Sequence, residues 1–266
     1  METITKIEYI RELDDELFEI FEQTNFLILN QLSKGEIPKT SELLLMFMTS
    51  SNFIKNAILD CLENDDIYSA NILFRSLIEH FLRFKFICFK YLKEKSDKQS
   101  EYYLTILEIS EHLSFSKSIN AVNKINGIDN QTINEMWSEL CEKFPHLKKY
   151  TKKEIEEFSR QISIKNIIAY LTEVLESEEK NEQLLSKMII EYSDLSSFVH
   201  GGVFAFKSCY KLSNDEVRQK ESERIAGLTF RISGAIKSIS YLIFYQFNKE
   251  FGSLLLQTEE ILRKYK

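Results

Sequence analysis

The sequence predicts an all-α protein, a multi-helix bundle with a capping region of short helices, and three observations carry that prediction. Only 7 glycines and 2 prolines punctuate 266 residues, too few for the turns that a strand-rich chain needs. Apolar residues make up 44% of the chain, enough for a sizeable core. They recur at intervals of three and four residues, the repeat of helices that bury one face.

Ile7, Ile10, Leu13, Leu17, Ile20 and Phe21, then Phe26, Leu27 and Leu32, mark a first helix that stops at Lys34-Gly35. After Pro38, Thr40 or Ser41 reads as the N-cap of a second helix, with a stripe of Leu44, Phe47, Met48, Ser51, Ile54, Ile58 and Leu62. A third helix over about 67–95 carries Leu73, Phe74, Leu77, Ile78, Phe81, Leu82, Phe84, Phe86, Ile87 and Phe89. So much apolar surface needs two or more covering neighbours, which makes it the central helix. A charged hinge over 94–100 leads to a helix over 102–122, closed by Asn126-Gly127.

Residues 123–160 include Gly127, Pro145 and the single tryptophan, Trp137, and read as a capping insertion of short helices and loops. Helical spacing resumes over 164–175 and 183–199, and Gly201-Gly202 ends the second of these. A short apolar segment, 203–210, precedes a long helix opened by Ser213 or Asn214. That helix runs through Ile225, Leu228, Ile232, Ile236, Ile239 and Ile243 to about Phe251. Gly252 is expected to break it before a terminal helix over 254–265. No repeat and no long linker divides the chain, so 1–266 reads as one domain.

A formal charge of -7 argues against a surface that grips nucleic acid throughout. Lys143, Lys148, Lys149, Lys152 and Lys153 form a local basic cluster beside Pro145, read as a solvated loop and helix start in preference to an RNA contact. Cys61, Cys88, Cys141 and Cys209 show no CxxC spacing and read as reduced core residues of a cytoplasmic protein. The N-terminal stretch mixes charged with apolar residues, unlike a secretory signal. The most apolar stretches are interrupted by Arg75, Glu79, Arg83 and Lys85 or are too short to span a bilayer, so no membrane association is expected. The chain lacks GxxxxGK, GxGxxG, HExxH and GxSxG. Glu108 and His112 share a helical face, but two ligands do not make a metal site. Neither a metal nor a cofactor is expected.

Two stretches stand out. Arg75-Ser76-Leu77-Ile78-Glu79-His80 lies in the most apolar helix, where charges must pair or line a cavity. Arg75, Glu79 and Arg83 follow at i, i+4 and form a polar ladder. The second stretch runs from Tyr192 to Gly202, with Ser193, Ser196, Ser197 and His200 on one side of a helix that ends at the two glycines. An inter-helix cluster of Arg75, Glu79, Ser196 and His200 is one expectation. The competing one is that Arg75 and Glu79 tie two helices together while His200 caps its own helix.

The pairing of A-x-x-L-x-R-S-L-x-E, present as Ala70 to Glu79, with Y-x-x-L-S-x-x-x-H-G, present as Tyr192 to Gly201, resembles the bacterial domain-of-unknown-function family 5677. It also resembles related HEPN (higher eukaryotes and prokaryotes nucleotide-binding) helical proteins. The resemblance implies an α-helical bundle with a HEPN-like core, often dimeric, in a toxin–antitoxin or antiphage defence setting. Catalytic relatives carry Arg-x(4-6)-His, a spacing that Arg75 to His80 fits, though Ser76 stands where they commonly have Asn, Asp or His. In such a site a guanidinium stabilises a phosphorane-like transition state while an imidazole moves the proton of a ribose 2′-hydroxyl. On an undistorted helix a spacing of five sets two side chains roughly 140° apart, so a dimer or a kink would have to join them, and His200 is the alternative imidazole.

Two functions follow as expectations. One is a metal-independent RNA-cleaving effector, with Arg75, Glu79 and either His80 or His200 as catalytic residues and Tyr192, Ser196, Ser197, Gly201 and Gly202 as binding residues. The other is a non-catalytic homodimeric module that binds a partner protein or a nucleotide.

Overall fold

The computed structural model describes residues 5–129, 132–177 and 182–265. Helix α1 (Lys6–Lys34) opens on a capping box in which the Thr5 hydroxyl accepts the Glu8 N–H and the Glu8 carboxylate accepts the Thr5 N–H. Helix α2 (Pro38–Glu63) carries Pro38 in its first turn, where the missing N–H costs nothing. Thr40 and Ser41, expected as its N-cap, are buried within the helix instead. The capping anion comes from far along the chain. The Asp97 carboxylate accepts the N–H groups of Lys39 at 2.7 Å and Thr40 at 2.6 Å, and Asp97 itself precedes α4 (Lys98–Ile125). One carboxylate therefore pins two helix starts together.

Helix α3 (Ile67–Glu94) is central. It packs against α2, α4, α7 (Ile164–Ser177), α8 (Gln183–Val199) and α10 (Asp215–Tyr245), and Phe74, Leu77, Ile78, Phe81 and Phe84 are fully buried. Each such side chain contributes about 2 kcal/mol by leaving water. Helix α1 lies across α2, α10 and the terminal α11 (Phe251–Lys264). Gly234 lets α11 approach closely, since a methyl group there would stand 2.2 Å from Leu262. The expected break at Gly252 falls earlier. Helix α10 ends at Tyr245, and Gly252 sits in the first turn of α11, where a Cβ would meet the Tyr245 ring at 2.8 Å. That glycine serves close packing rather than chain reversal.

Residues of the capping region form α5 (Ile133–Lys143), a 3-10 turn (Pro145–Lys149) and α6 (Lys152–Gln161). They gather on α4 around a second apolar cluster of Ile106, Ile109, Leu140, Cys141, Leu147 and Ile155, with Trp137 at its edge. Helix α9 (Val203–Lys211) folds back on α8. The described residues thus form eleven α-helices and one 3-10 turn, with no strand. None of these helices is long and apolar enough to cross a membrane. All four cysteines are free, and Cys209, expected in the core, is exposed on α9.

The core also holds charge. Between α1, α2 and α10, Lys55 pairs with Asp14 and donates to Asn52 Oδ1 at 2.7 Å. Lys237 donates to Ser233 Oγ at 3.0 Å and reaches the same Asn52 oxygen at 3.4 Å. Two ammonium groups thus face one carboxylate, and all three residues are buried. Burial first, then repulsion from Lys55, brings the Lys237 amine down to about 7, with Asp14 opposing. Burial likewise lowers Lys55.

The unfolded chain binds more protons than the folded one wherever pH lies between the folded and unfolded values of such an amine, so stability rises with pH there. For Lys237 that interval runs from about 7 up to the ordinary lysine value of 10.5. We expect the denaturation midpoint to climb between about pH 7 and pH 9. Lys237→Met should flatten that climb and leave the midpoint at neutral pH no lower, because an apolar side chain of similar length replaces an incompletely paired buried charge. A variant that keeps the wild-type slope contradicts this assignment.

Candidate functional site

Three side-chain contacts fix α3 and α8 in antiparallel register. The Tyr68 hydroxyl donates to the Phe198 carbonyl at 3.0 Å, Arg75 meets Tyr192, and Lys85 pairs with Glu182 at 2.6 Å. As the chain climbs α3 it descends α8, so each α3 position has one fixed opposite number.

Arg75 is held from two sides. Its Nη2 donates to the Tyr192 hydroxyl at 3.0 Å, and its guanidinium carbon lies 4.6 Å from the centroid of the same ring. Its Nη1 stands 3.5 Å from the Glu79 carboxylate. Glu79 in turn accepts Arg83 Nη2 at 2.6 Å. The ladder foreseen from the i, i+4 spacing is therefore present, with one carboxylate shared by two guanidinium groups. The Nε atoms of Arg75 and Arg83 are both buried without a hydrogen-bond partner. The strip carries one net positive charge.

His80 leaves this face and packs edge-on against Phe47 of α2, with ring centroids 5.5 Å apart. Burial, reinforced by the charge of Arg83 and opposed by Glu79, lowers its pKa below the ordinary histidine value. The imidazole is accordingly neutral at physiological pH. Tyr103 of α4 also lies beside Arg83 and packs on Phe47, and burial pushes its hydroxyl up. His80, Arg83, Glu79 and Tyr103 thus form a half-buried polar group on the α2–α3–α4 side of the bundle.

The end of α8 is built by its glycines. His200 is the C-cap residue, Gly201 adopts φ +62°, and the Gly202 N–H donates to the Ser197 carbonyl at 2.8 Å. That is a Schellman closure, and it needs a left-handed residue where Gly201 stands. The Ser197 hydroxyl then accepts the Ala205 N–H at 3.0 Å and so caps α9. A Cβ at position 202 would stand 2.4 Å from that hydroxyl oxygen. Ser197, Gly201 and Gly202, expected as binding residues, are the joint between α8 and α9.

His200 itself is exposed, and the expected meeting with Arg75 does not form within the chain. Register explains why. Tyr192 stands opposite Arg75, and eight further residues carry His200 about 12 Å along the helix axis. Ser196, half-buried, uses its carbonyl to accept the His200 N–H. Arg75 is thus joined to Glu79 and Tyr192, while His80 and His200 lie apart from it and from each other.

Lys149 pairs with Glu101 at 2.5 Å, and His146 lies 3.5 Å from Glu108. His112 stacks on Phe144 rather than joining Glu108. The side chain of Lys152 lies outside the described residues. No three His, Cys, Asp or Glu among the described residues stand close enough to hold a metal. Sequence reasoning missed Phe47 as the partner of His80 and Tyr103 as a neighbour of Arg83, because nothing local links α2, α3 and α4. It also passed over Asn71, whose signal was available: a polar residue between Ala70 and Phe74 on the buried side of α3.

No curated protein and no solved structure matches the chain. Residues 41–218, which contain the Arg75 ladder, His80, the Tyr192 contact and the α8–α9 joint, match the Family of unknown function (DUF5677). That stretch is the greater part of the sequence, and the chain belongs to this family.

Proposed function

We propose that the chain is a non-catalytic α-helical interaction module that works as a homodimer, with the Arg75–Glu79–Arg83 ladder as part of its frame. The observation that carries this reading is that both terminal nitrogens of Arg75 face partners within the chain, Tyr192 and Glu79, with no imidazole beside it. A guanidinium committed to two internal partners ties helices together and has little left to offer a substrate.

The surface that supports self-association is the outer face of distal α4. Phe115, Ile119, Val122 and Ile125 are 67%, 45%, 51% and 83% exposed. They fall at i, i+4, i+7 and i+10, along one side of the helix. Four large apolar groups in one stripe exceed the scattered exposure of an ordinary monomer surface. Around them stand Ser114, Ser116, Ser118, Asn120 and Asn123, with few charges. Two copies that each carry a net charge of -7 approach best through such an uncharged face, and a two-fold axis lets one stripe cover its twin. Light scattering at micromolar concentration should return twice the chain mass for the native protein and the single mass for Val122→Glu, with equal helicity. A native protein that stays monomeric at high concentration refutes the dimer.

One observation favours a second reading, metal-independent RNA cleavage. His80 is a neutral imidazole one turn from Arg83, the pair needed to take a 2′-hydroxyl proton and to stabilise charge on phosphorus. Purified protein incubated with RNA in excess chelator discriminates the two. The module reading expects no cleavage. Cleavage that disappears in both His80→Ala and Arg83→Ala, with helicity retained, would replace it.

A further inference from the structure

Residues 195–214 contain no Asp or Glu, although the whole chain carries 41. The only lysines or arginines in that run are Lys207 and Lys211. Both sit on α9, and neither pairs with a carboxylate among the described residues. A chain whose net charge is -7 thus presents one local surface that is positive.

Helix α9 also turns a strongly apolar side outward. Ala205 is buried against the bundle, and its N–H is capped by the Ser197 hydroxyl. The opposite side carries Val203, Phe206 and Tyr210, which are 71%, 79% and 81% exposed. They fall at i, i+3 and i+7, with Lys207 between the two aromatic residues. Three large side chains so exposed on one short helix exceed the scattered apolar residues of an ordinary surface. The helix is formed and anchored before anything meets it, so docking through this side costs little ordering.

The residue types on this side discriminate among partners. The cores of protein interfaces are depleted in lysine, whereas Lys207 stands in the middle of the patch. A nucleic-acid strand is held by a groove that tracks several phosphates, whereas α9 offers one helix face, two cations and a valine on which no base stacks. Aromatic rings beside lysines suit the headgroup layer of an anionic bilayer, since the lysine stems lie along apolar surface while the ammonium groups reach outward. A helix that lies on a bilayer needs one exposed face and no span, so it is unaffected by the lack of a membrane-crossing helix among the described residues. The carboxylates behind α9 do not cancel its charge. Glu191 and Glu221 are held by Arg224, and Asp194 opens on the groove at the inner side of α9. More distant charges are screened within about 8 Å at physiological salt.

We infer that the outer side of α9 docks on the surface of an anionic lipid bilayer, with Val203, Phe206 and Tyr210 in the headgroup layer and Lys207 and Lys211 on anionic headgroups. The contact is peripheral. It is independent of the dimer reading, which places the second copy on α4.

Sucrose-loaded vesicles of phosphatidylcholine, with and without phosphatidylglycerol, are the probes. In co-sedimentation titrations the native protein should bind the phosphatidylglycerol vesicles saturably and the neutral ones about tenfold more weakly. Phe206→Ala should weaken binding to the anionic vesicles about tenfold, the loss of one inserted aromatic side chain, and Lys207→Gln about fivefold. Both positions are exposed, so helicity should be unchanged in either variant. The inference is overturned if the native protein stays in solution beside phosphatidylglycerol vesicles, if it binds both vesicle types equally, or if Phe206→Ala binds as tightly as the native chain does. Binding of a single-stranded RNA oligonucleotide that Phe206→Ala abolishes, with no binding to vesicles, would assign the face to nucleic acid instead.

Discussion

Two guanidinium groups on the central helix share one carboxylate, and the charge left over is met by an aromatic ring from α8. Glu79 binds Arg83 at 2.6 Å and Arg75 at 3.5 Å, and Tyr192 offers Arg75 both its hydroxyl and its π-face. Without that ring, a half-buried cation would stand on the most apolar helix of the chain. With it, α8 is locked in a register that also places Tyr68 on the Phe198 carbonyl and Lys85 on Glu182. The remote position of His200 follows from this one alignment.

The bundle tolerates charge in its interior in two different ways. On α3 the ladder is half-exposed and each guanidinium reaches an acceptor or a ring. Between α1, α2 and α10, Lys55 and Lys237 are fully buried around the single carboxylate of Asp14, and the second amine relaxes by losing its proton readily. Lys237, buried beside a second amine, couples the stability of the fold to pH.

Much of the fold is legible in the sequence because it is local. The bounds of α8 follow from a helical stripe that ends where Gly201 must turn left-handed, and the i, i+4 spacing of Arg75, Glu79 and Arg83 gives the ladder directly. What fails is what depends on distance. Thr40 and Ser41 look like caps, yet the cap of α2 is Asp97, brought in by the packing of α4. Gly252 looks like a breaker, yet it is a contact point for Tyr245. His200 looks like a partner for Arg75 because each is a polar residue in one of the two stretches that stand out, but the α3–α8 register pairs Arg75 with Tyr192, at the start of the second stretch. No spacing within either stretch encodes which residues of the two helices face each other.

The most direct test is a double-mutant cycle of Arg75→Ala and Tyr192→Phe, followed by chemical denaturation. The phenylalanine keeps the ring and removes only the hydroxyl, so the coupling isolates the hydrogen bond that joins α3 to α8. We expect a coupling of about 1 kcal/mol, as for contacting residues in one network. Strict additivity of the two substitutions would mean that Arg75 does not engage Tyr192, and the alignment of the two helices would then rest on something else.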